Sequence, residues 1–201
     1  MIAIIDYDAG NIMSVEKACT YLGGKAVITR DRNEIFRADH VILPGVGSFG
    51  DAMGKLNTYG LVPVIRELCE KGTPFMGICL GLQLMFYDSE ESPGVEGLSV
   101  LPGHIKRIPA KDGLKIPQIG WNDLDIKPGR RLFAGLPENP YVYFVHSYYL
   151  SCDNEEDCAA TTEYGTLIHA AVEHENIFAC QFHPEKSSGV GLKILENFMG
   201  V

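Results

Sequence analysis

The stretch Thr73-Pro74-Phe75-Met76-Gly77-Ile78-Cys79-Leu80-Gly81-Leu82-Gln83 decides how the rest of the chain reads. The apolar run Phe75 to Ile78 predicts a buried strand, and Leu80 to Phe86 predicts the first turns of a helix. A single cysteine sits at the junction, with Gly77 before it and Gly81 after it. This is the pattern of a nucleophile elbow, with cysteine where many hydrolases carry serine. In so tight a turn, a side chain at either flanking position would collide with the neighbouring strand or helix. The turn lifts the sulfur to the top of a sheet. There the positive end of the helix favours the thiolate, which is the nucleophile. Cysteine is also among the most buried residue types, so Cys79 alone leaves a plain core role open.

Upstream, Ile2–Ile5, Ala26–Ile28 and Val41–Leu43 read as short hydrophobic strands. Between them, Ile12, Val15, Cys19 and Leu22 fall near helical spacing and stop at Gly23-Gly24. A second helix is predicted from about Leu61 to Lys71, ended by Gly72. Strands alternating with helices predict a parallel sheet covered on both faces, with its site beyond the carboxyl ends of the strands. Asp6–Asn11, Pro44–Gly50 and Cys79 then share one rim. Downstream the character changes. Asp88–Gly97 reads as an acidic loop, and short strands follow at Leu98–Ile108, Ile116–Leu124, Val142–Leu150, Cys158–Thr162, Leu167–Glu173 and Ile177–Phe182. A helix from Ser187 to Met199 closes the chain. The expectation is one α/β domain over 1–201: a mostly parallel central sheet with helices on both faces, plus antiparallel strands.

A partner for Cys79 stands far downstream, in Phe178-Ala179-Cys180-Gln181-Phe182-His183-Pro184-Glu185-Lys186. Residues i and i+2 of an extended segment point the same way, and Pro184 drives His183 toward that conformation. Glu185 can therefore hold one imidazole nitrogen while the other faces a thiol. Cys79, His183 and Glu185 become nucleophile, general base/acid and orienter. The loop Pro44-Gly45-Val46-Gly47-Ser48-Phe49-Gly50 lacks the lysine of a phosphate-binding loop. An N–H near Val46 or Gly47, paired with that of Leu80, would form an oxyanion hole. An ordinary tight turn is the alternative for this loop.

Composition sets the bounds. The 201 residues are 46% hydrophobic and 21% charged, with a formal net charge of −9. With no Lys/Arg cluster, neither nucleic acid nor an anionic membrane is an expected partner. No apolar run approaches a membrane span, and Met1–Asp6 lacks the basic and long apolar regions of a signal peptide. The six cysteines show neither a disulfide framework nor zinc-site spacing, so a cytoplasmic protein without metal or cofactor is expected.

These residues resemble the class I, triad-type glutamine amidotransferases. The general signature is Gly77–Gln83 with His183-Pro184-Glu185. Narrower markers are Asp8-Ala9-Gly10-Asn11, Pro44–Met53, Gly120-Trp121-Asn122, Tyr143–Tyr148 and His183–Ser188. They are similar to the glutaminase branch that serves imidazole glycerol phosphate formation in histidine biosynthesis. The resemblance implies that Cys79 attacks the side-chain amide of glutamine, giving a glutamyl thioester and ammonia. It implies substrate contacts from Gly45, Gln83, Glu91, Ser147 and Tyr148, and an oxyanion hole from Val46, Gly47 and Leu80. It also implies a heterodimer with a (β/α)8-barrel cyclase that receives the ammonia. Asn11, Trp121, Asn122, Tyr143 and Lys186 are implied at or near that interface, although a lone tryptophan also suits a core. In the branch, free glutaminase is nearly idle, and a peptide flip near Val46 is the implied switch. Glutaminases serving anthranilate, aminodeoxychorismate or pyridoxal phosphate synthesis share the triad but not the narrower markers. A stand-alone cysteine hydrolase and a non-catalytic scaffold are the remaining alternatives.

Overall fold

Ile2, Ile4, Ile42, Met76, Ile78, Phe178 and Cys180 belong to one buried cluster, and Ala3, Ile5, Val41, Leu43, Phe75, Ile177 and Ala179 to another. Successive side chains of a strand leave opposite faces of a sheet, so these alternating memberships describe a sheet with a core on each face. The computed structural model describes residues 1–201.

In chain order the strands are β1 Ile2–Ile5, β2 Ala26–Thr29, β3 His40–Gly45, β4 Phe75–Cys79, β5 Asp88–Ser89, β6 Gly103–Arg107 and β7 Gln118–Asp123. They continue with β8 Asp125–Ile126, β9 Tyr141–His146, β10 Tyr148–Cys152, β11 Cys158–Glu163, β12 Leu167–His174 and β13 Ile177–Cys180. The helices are α1 Ile12–Tyr21, α2 Arg32–Phe36, α3 Phe49–Thr58, α4 Leu61–Glu70, α5 Leu80–Leu84 and α6 Ser188–Met199.

The main sheet runs β2-β1-β3-β4-β13-β12-β10-β6-β5, with β11 paired to β12 and β8 to β11. From β2 to β13 neighbouring strands are parallel. From β13 to β6 they are antiparallel. Helices α1 and α6 cover one face of the parallel block, through Val15, Cys19, Ile194, Leu195 and Phe198. Helices α3 and α4 contribute Phe49, Met53, Leu56, Val64, Ile65 and Leu68 to the other. Strands β7 and β9 form a separate two-stranded antiparallel ribbon. The expected mixed sheet with covered faces is therefore the observed one.

Three local expectations need correction. Helix α3 begins inside the stretch read as a glycine-rich loop: Ser48 caps it, its hydroxyl accepting from the Asp51 N–H. Gly50 and Gly54 obscure a helical spacing of Phe49, Ala52, Met53 and Leu56, and each glycine costs about 1 kcal/mol relative to alanine. Burial of those four side chains overrides the propensity. The segment Leu98–Ile108 is strand only over Gly103–Arg107. Leu98 and Leu101 are buried but belong to an irregular stretch whose N–H groups donate to carbonyls of Leu84 and Met85. The acidic Asp88–Gly97 loop opens with the two-residue edge strand β5.

No helix is long and apolar enough to cross a membrane.

Candidate active site

Strand β4 hands over to α5 at Cys79, whose backbone sits at φ 56°, ψ −110°. An L residue held there stores about 1–3 kcal/mol of strain, and the close packing around it explains the two glycines. A Cβ on Gly81 would overlap the Leu43 carbonyl, and one on Gly77 would lie 2.7 Å from the Gly81 oxygen. Gly45 is paired with Cys79 across β3 and β4.

His183 follows β13 and introduces a 3-10 turn, Pro184–Lys186. That turn is stitched to β9. The His183 N–H donates to the Tyr143 carbonyl at 3.0 Å, the Tyr143 N–H donates to Ser187 Oγ at 2.9 Å, and Ser187 Oγ donates to the His183 carbonyl at 2.6 Å. His183 Nδ1 lies 2.8 Å from Glu185 Oε1, with both side chains essentially sealed from solvent. The amide of Asn11 donates to the same carboxylate oxygen. Asn11, at the left-handed start of α1, thus braces Glu185. His183 Nε2 is buried without a protein hydrogen-bond partner.

Burial pulls the His183 pKa down. Cys79 on one side and Glu185 on the other overcome this, and the balance raises it to about 9. The ring is held as a cation, with the Cys79 sulfur on one side and the Glu185 carboxylate on the other.

A pocket of about 290 Å³ opens in front of these groups, lined by Val46, Gly47, Cys79, Leu80, Gln83, Glu91, Pro117, Val145, His146, Ser147, Tyr148 and His183. Its size suits a single amino acid. Of the residues expected to touch the substrate or its oxyanion, Gly45 alone does not line it. Gly45 is buried at the end of β3, where a Cβ would collide with the Tyr7 hydroxyl and lie 3.0 Å from that of Leu80. Glu91 lines the pocket while one of its oxygens accepts from the Phe49 N–H at 2.8 Å. The Gln83 amide nitrogen donates to the Tyr148 carbonyl and to Gln181 Oε1, each at 3.0 Å.

Beside the pocket, the β7–β9 ribbon pairs Ile119 with Val145, Trp121 with Tyr143 and Asp123 with Tyr141. Trp121 is 50% exposed, Ile119 62% and Tyr141 57%, and the Trp121 and Tyr143 rings meet edge to face. Trp121 is therefore not a core residue. The Asn122 side chain donates to the Glu163 carbonyl at 3.0 Å, and Lys186 is exposed.

Sequence reasoning passed over three side chains here. Tyr7, buried, donates to the Pro44 carbonyl at 2.9 Å and so holds the base of the Val46–Gly47 segment. His146 bonds the Tyr148 carbonyl and Gln118, and burial presses its pKa down to about 4. Gln181 reaches Cys79 itself. A signal for Gln181 existed, since it stands two residues before His183, directly after the strand that leads to that histidine. No group of three or more His, Cys, Asp or Glu side chains is arranged to hold a metal ion.

A family model described as glutamine amidotransferase class-I matches residues 3–200. The chain is 51% identical over 197 residues to the imidazole glycerol phosphate synthase subunit HisH of Moorella thermoacetica, covering 98% of this chain and 93% of that protein. It is 49% identical to the HisH subunit of a Bacillus cereus strain over 201 residues, covering 100% and 95% of the two. The HisH subunit of Thermosynechococcus vestitus is 49% identical over 203 residues, covering 100% and 96%. A crystal structure of a glutamine amidotransferase superposes with a TM-score of 0.77 at 21% identity over all of both chains. PurLQS from Thermotoga maritima gives 0.75 at 19% identity over 99% and 97%. With these two structures it is the fold that is shared.

Proposed function

Because the chain belongs to the class I glutamine amidotransferases, we propose that it is the glutaminase subunit of an imidazole glycerol phosphate synthase, working in histidine biosynthesis beside a (β/α)8-barrel cyclase. The half-identical, full-length HisH relatives support the choice of branch. One observation carries the chemistry: His183 is anchored through Nδ1 on a buried carboxylate, and its Nε2 is buried without a protein partner on the side of Cys79.

The steps follow from that arrangement. The Cys79 thiolate adds to the side-chain amide carbon of glutamine, and the carbonyl oxygen becomes an oxyanion. The Leu80 N–H and an N–H from the Val46–Gly47 segment stabilise it. One such donor is worth about 3 kcal/mol in other acyl-transfer enzymes. His183 passes its proton to the departing nitrogen, ammonia leaves, and a glutamyl thioester remains on Cys79. The now neutral His183 takes a proton from water, whose oxygen attacks the thioester. Collapse of the second tetrahedral species expels the thiolate and frees glutamate. Glu185 holds the imidazole in the required tautomer throughout, and Asn11 holds Glu185. Gln83 keeps its side-chain oxygen for a substrate N–H. Glu91, Ser147 and the Tyr148 backbone complete the amino-acid end of the site.

Ammonia released into water is protonated and lost as a nucleophile, so the site has to discharge into a partner. The exposed apolar face of Ile119, Trp121 and Tyr141 gives the cyclase a surface to cover, with Tyr143, Asn122 and Lys186 around it. Tyr143 also holds the backbone of His183, so docking and chemistry share one strand. The Val46–Gly47 segment is the switch: a peptide turned the wrong way withholds one oxyanion donor until the cyclase binds its nucleotide. All six cysteines are unpaired, which supports work in a reducing cytoplasm.

The test is glutamate release from glutamine by the chain alone, with cyclase, and with cyclase plus its nucleotide substrate. Stimulation in the complete mixture is expected. Full activity of the free chain would contradict the switch, and no activity in any mixture would contradict the assignment.

A further inference from the structure

Gln181 is completely buried, and a buried carboxamide destabilises the fold unless its hydrogen bonds are made. It lies one residue past the end of β13. That strand runs parallel to β4 with Cys180 opposite Ile78, so the next position stands opposite Cys79. The Gln181 N–H donates to the Ala170 carbonyl at 2.8 Å, which fixes its backbone to β12. Its side chain lies between two functional groups. Nε2 is 3.8 Å from Cys79 Sγ, a long N–H···S contact, and Oε1 is 3.0 Å from Gln83 Nε2.

The direction of these bonds is fixed from outside the pair. The Tyr148 carbonyl can only accept, and Gln83 Nε2 donates to it at 3.0 Å. The second N–H of the same nitrogen then points at Gln181, which must turn its oxygen toward Gln83 and its nitrogen toward the sulfur. The sulfur can only receive. A donor aimed at a sulfur favours the charged, nucleophilic form over the thiol. A leucine would fill the same space but could neither orient the sulfur nor accept from Gln83.

We propose that Gln181 is a positioning residue of the glutaminase reaction: one buried amide holds the Cys79 sulfur as a thiolate ready to attack and fixes Gln83 at the floor of the pocket. The proposal rests on the glutaminase function assigned to Cys79.

Two variants of the full-length chain, Gln181→Met and Gln181→Glu, test it. Both keep the length of the side chain, and neither presents an N–H to the sulfur at neutral pH. The first readout needs no substrate: the rate of Cys79 alkylation by iodoacetamide, followed by mass spectrometry of the Cys79 peptide. The second is kcat and KM for glutamine in the cyclase complex. For Gln181→Met, alkylation and kcat should each fall about tenfold, with KM moving less than about threefold. Gln181→Glu should alkylate more slowly still, because its carboxylate repels a thiolate. Wild-type alkylation rates in both variants would overturn the proposal, as would a change confined to KM. Absence of glutamate release by the wild-type complex would instead remove the glutaminase function, with the alkylation comparison still reporting on Gln181 and Cys79.

Discussion

Cys79, His183 and Gln181 are almost wholly removed from solvent, whereas Ile119, Trp121 and Tyr141, on the ribbon beside them, are each exposed by half or more. On the first side the polar groups are buried, bonded and braced: Glu185 is gripped by both His183 and Asn11. On the second, apolar side chains face water without a covering element. A buried carboxylate–imidazole pair orients the base only when its hydrogen bonds are held by fixed neighbours. An exposed aromatic face costs solubility unless something covers it. The triad is therefore already assembled in the free chain, whereas the apolar ribbon face has nothing over it. The two histidines of the pocket show the same division. His183, between carboxylate and sulfur, is held charged, while His146, between a carbonyl and an amide on the ribbon side, is held neutral.

Substitutions should separate the two regions. The largest effect is expected from Cys79→Ala, which should lower glutamate release by about five orders of magnitude or more. Binding to the cyclase, followed by calorimetry, should be retained. Loss of both together would mean that the two regions do not act separately. Next comes Glu185→Gln, expected to reduce kcat by up to about four orders, as in other triads whose orienting acid is neutralised. Steady-state kinetics at saturating glutamine would measure it. On the ribbon, Trp121→Ala should weaken cyclase binding by roughly 2 kcal/mol, about thirtyfold. The denaturant midpoint of the free chain should scarcely move, since half of that side chain is already in water.

The smallest and most diagnostic effect is in stability against pH. The pKa of His183 rises on folding from 6.5 to about 9, so its contribution is full below about pH 6.5 and lost as pH rises through about 9. His146 moves the other way, from 6.5 to about 4. The unfolded chain then binds the extra proton, and stability declines as pH falls from about 6.5 toward 4. Urea titrations across this range should show His183→Asn flattening the alkaline limb and His146→Asn the acid limb. Cys79→Ala should shrink the alkaline limb, because the sulfur helps to hold His183 charged. An alkaline limb unaltered in His183→Asn would assign it to another group.

The two regions also differ in how much the sequence discloses. Apolar runs such as Ile2–Ile5 and Phe75–Ile78 announce buried parallel strands, and the glycines around Cys79 announce the elbow, because sterics act on neighbours in the chain. His183 and Glu185 are legible as near neighbours, but the extended run expected between them is in fact the 3-10 turn Pro184–Lys186, and that turn brings the carboxylate back to the imidazole. Long-range pairings leave no such trace. The bond from Asn11 to Glu185 joins the two ends of the chain, and Tyr7 meets Pro44 only because β1 and β3 are adjacent in the sheet. Helix α3 stayed hidden behind its glycines, since packing rather than propensity forms it. For Trp121 only the resemblance pointed to an interface and its own neighbours left a core role open, because exposure in a two-stranded ribbon depends on what the ribbon lies against.

The most direct test of the central claim is to look for the covalent intermediate. The complex of this chain with the cyclase and its nucleotide would be mixed with glutamine, quenched in acid within the first turnover, and digested for mass spectrometry. A glutamyl adduct on the Cys79 peptide should appear before free glutamate plateaus and be absent from Cys79→Ala. Glutamate release continuing at the wild-type rate in Cys79→Ala, with no adduct on any cysteine, would contradict it.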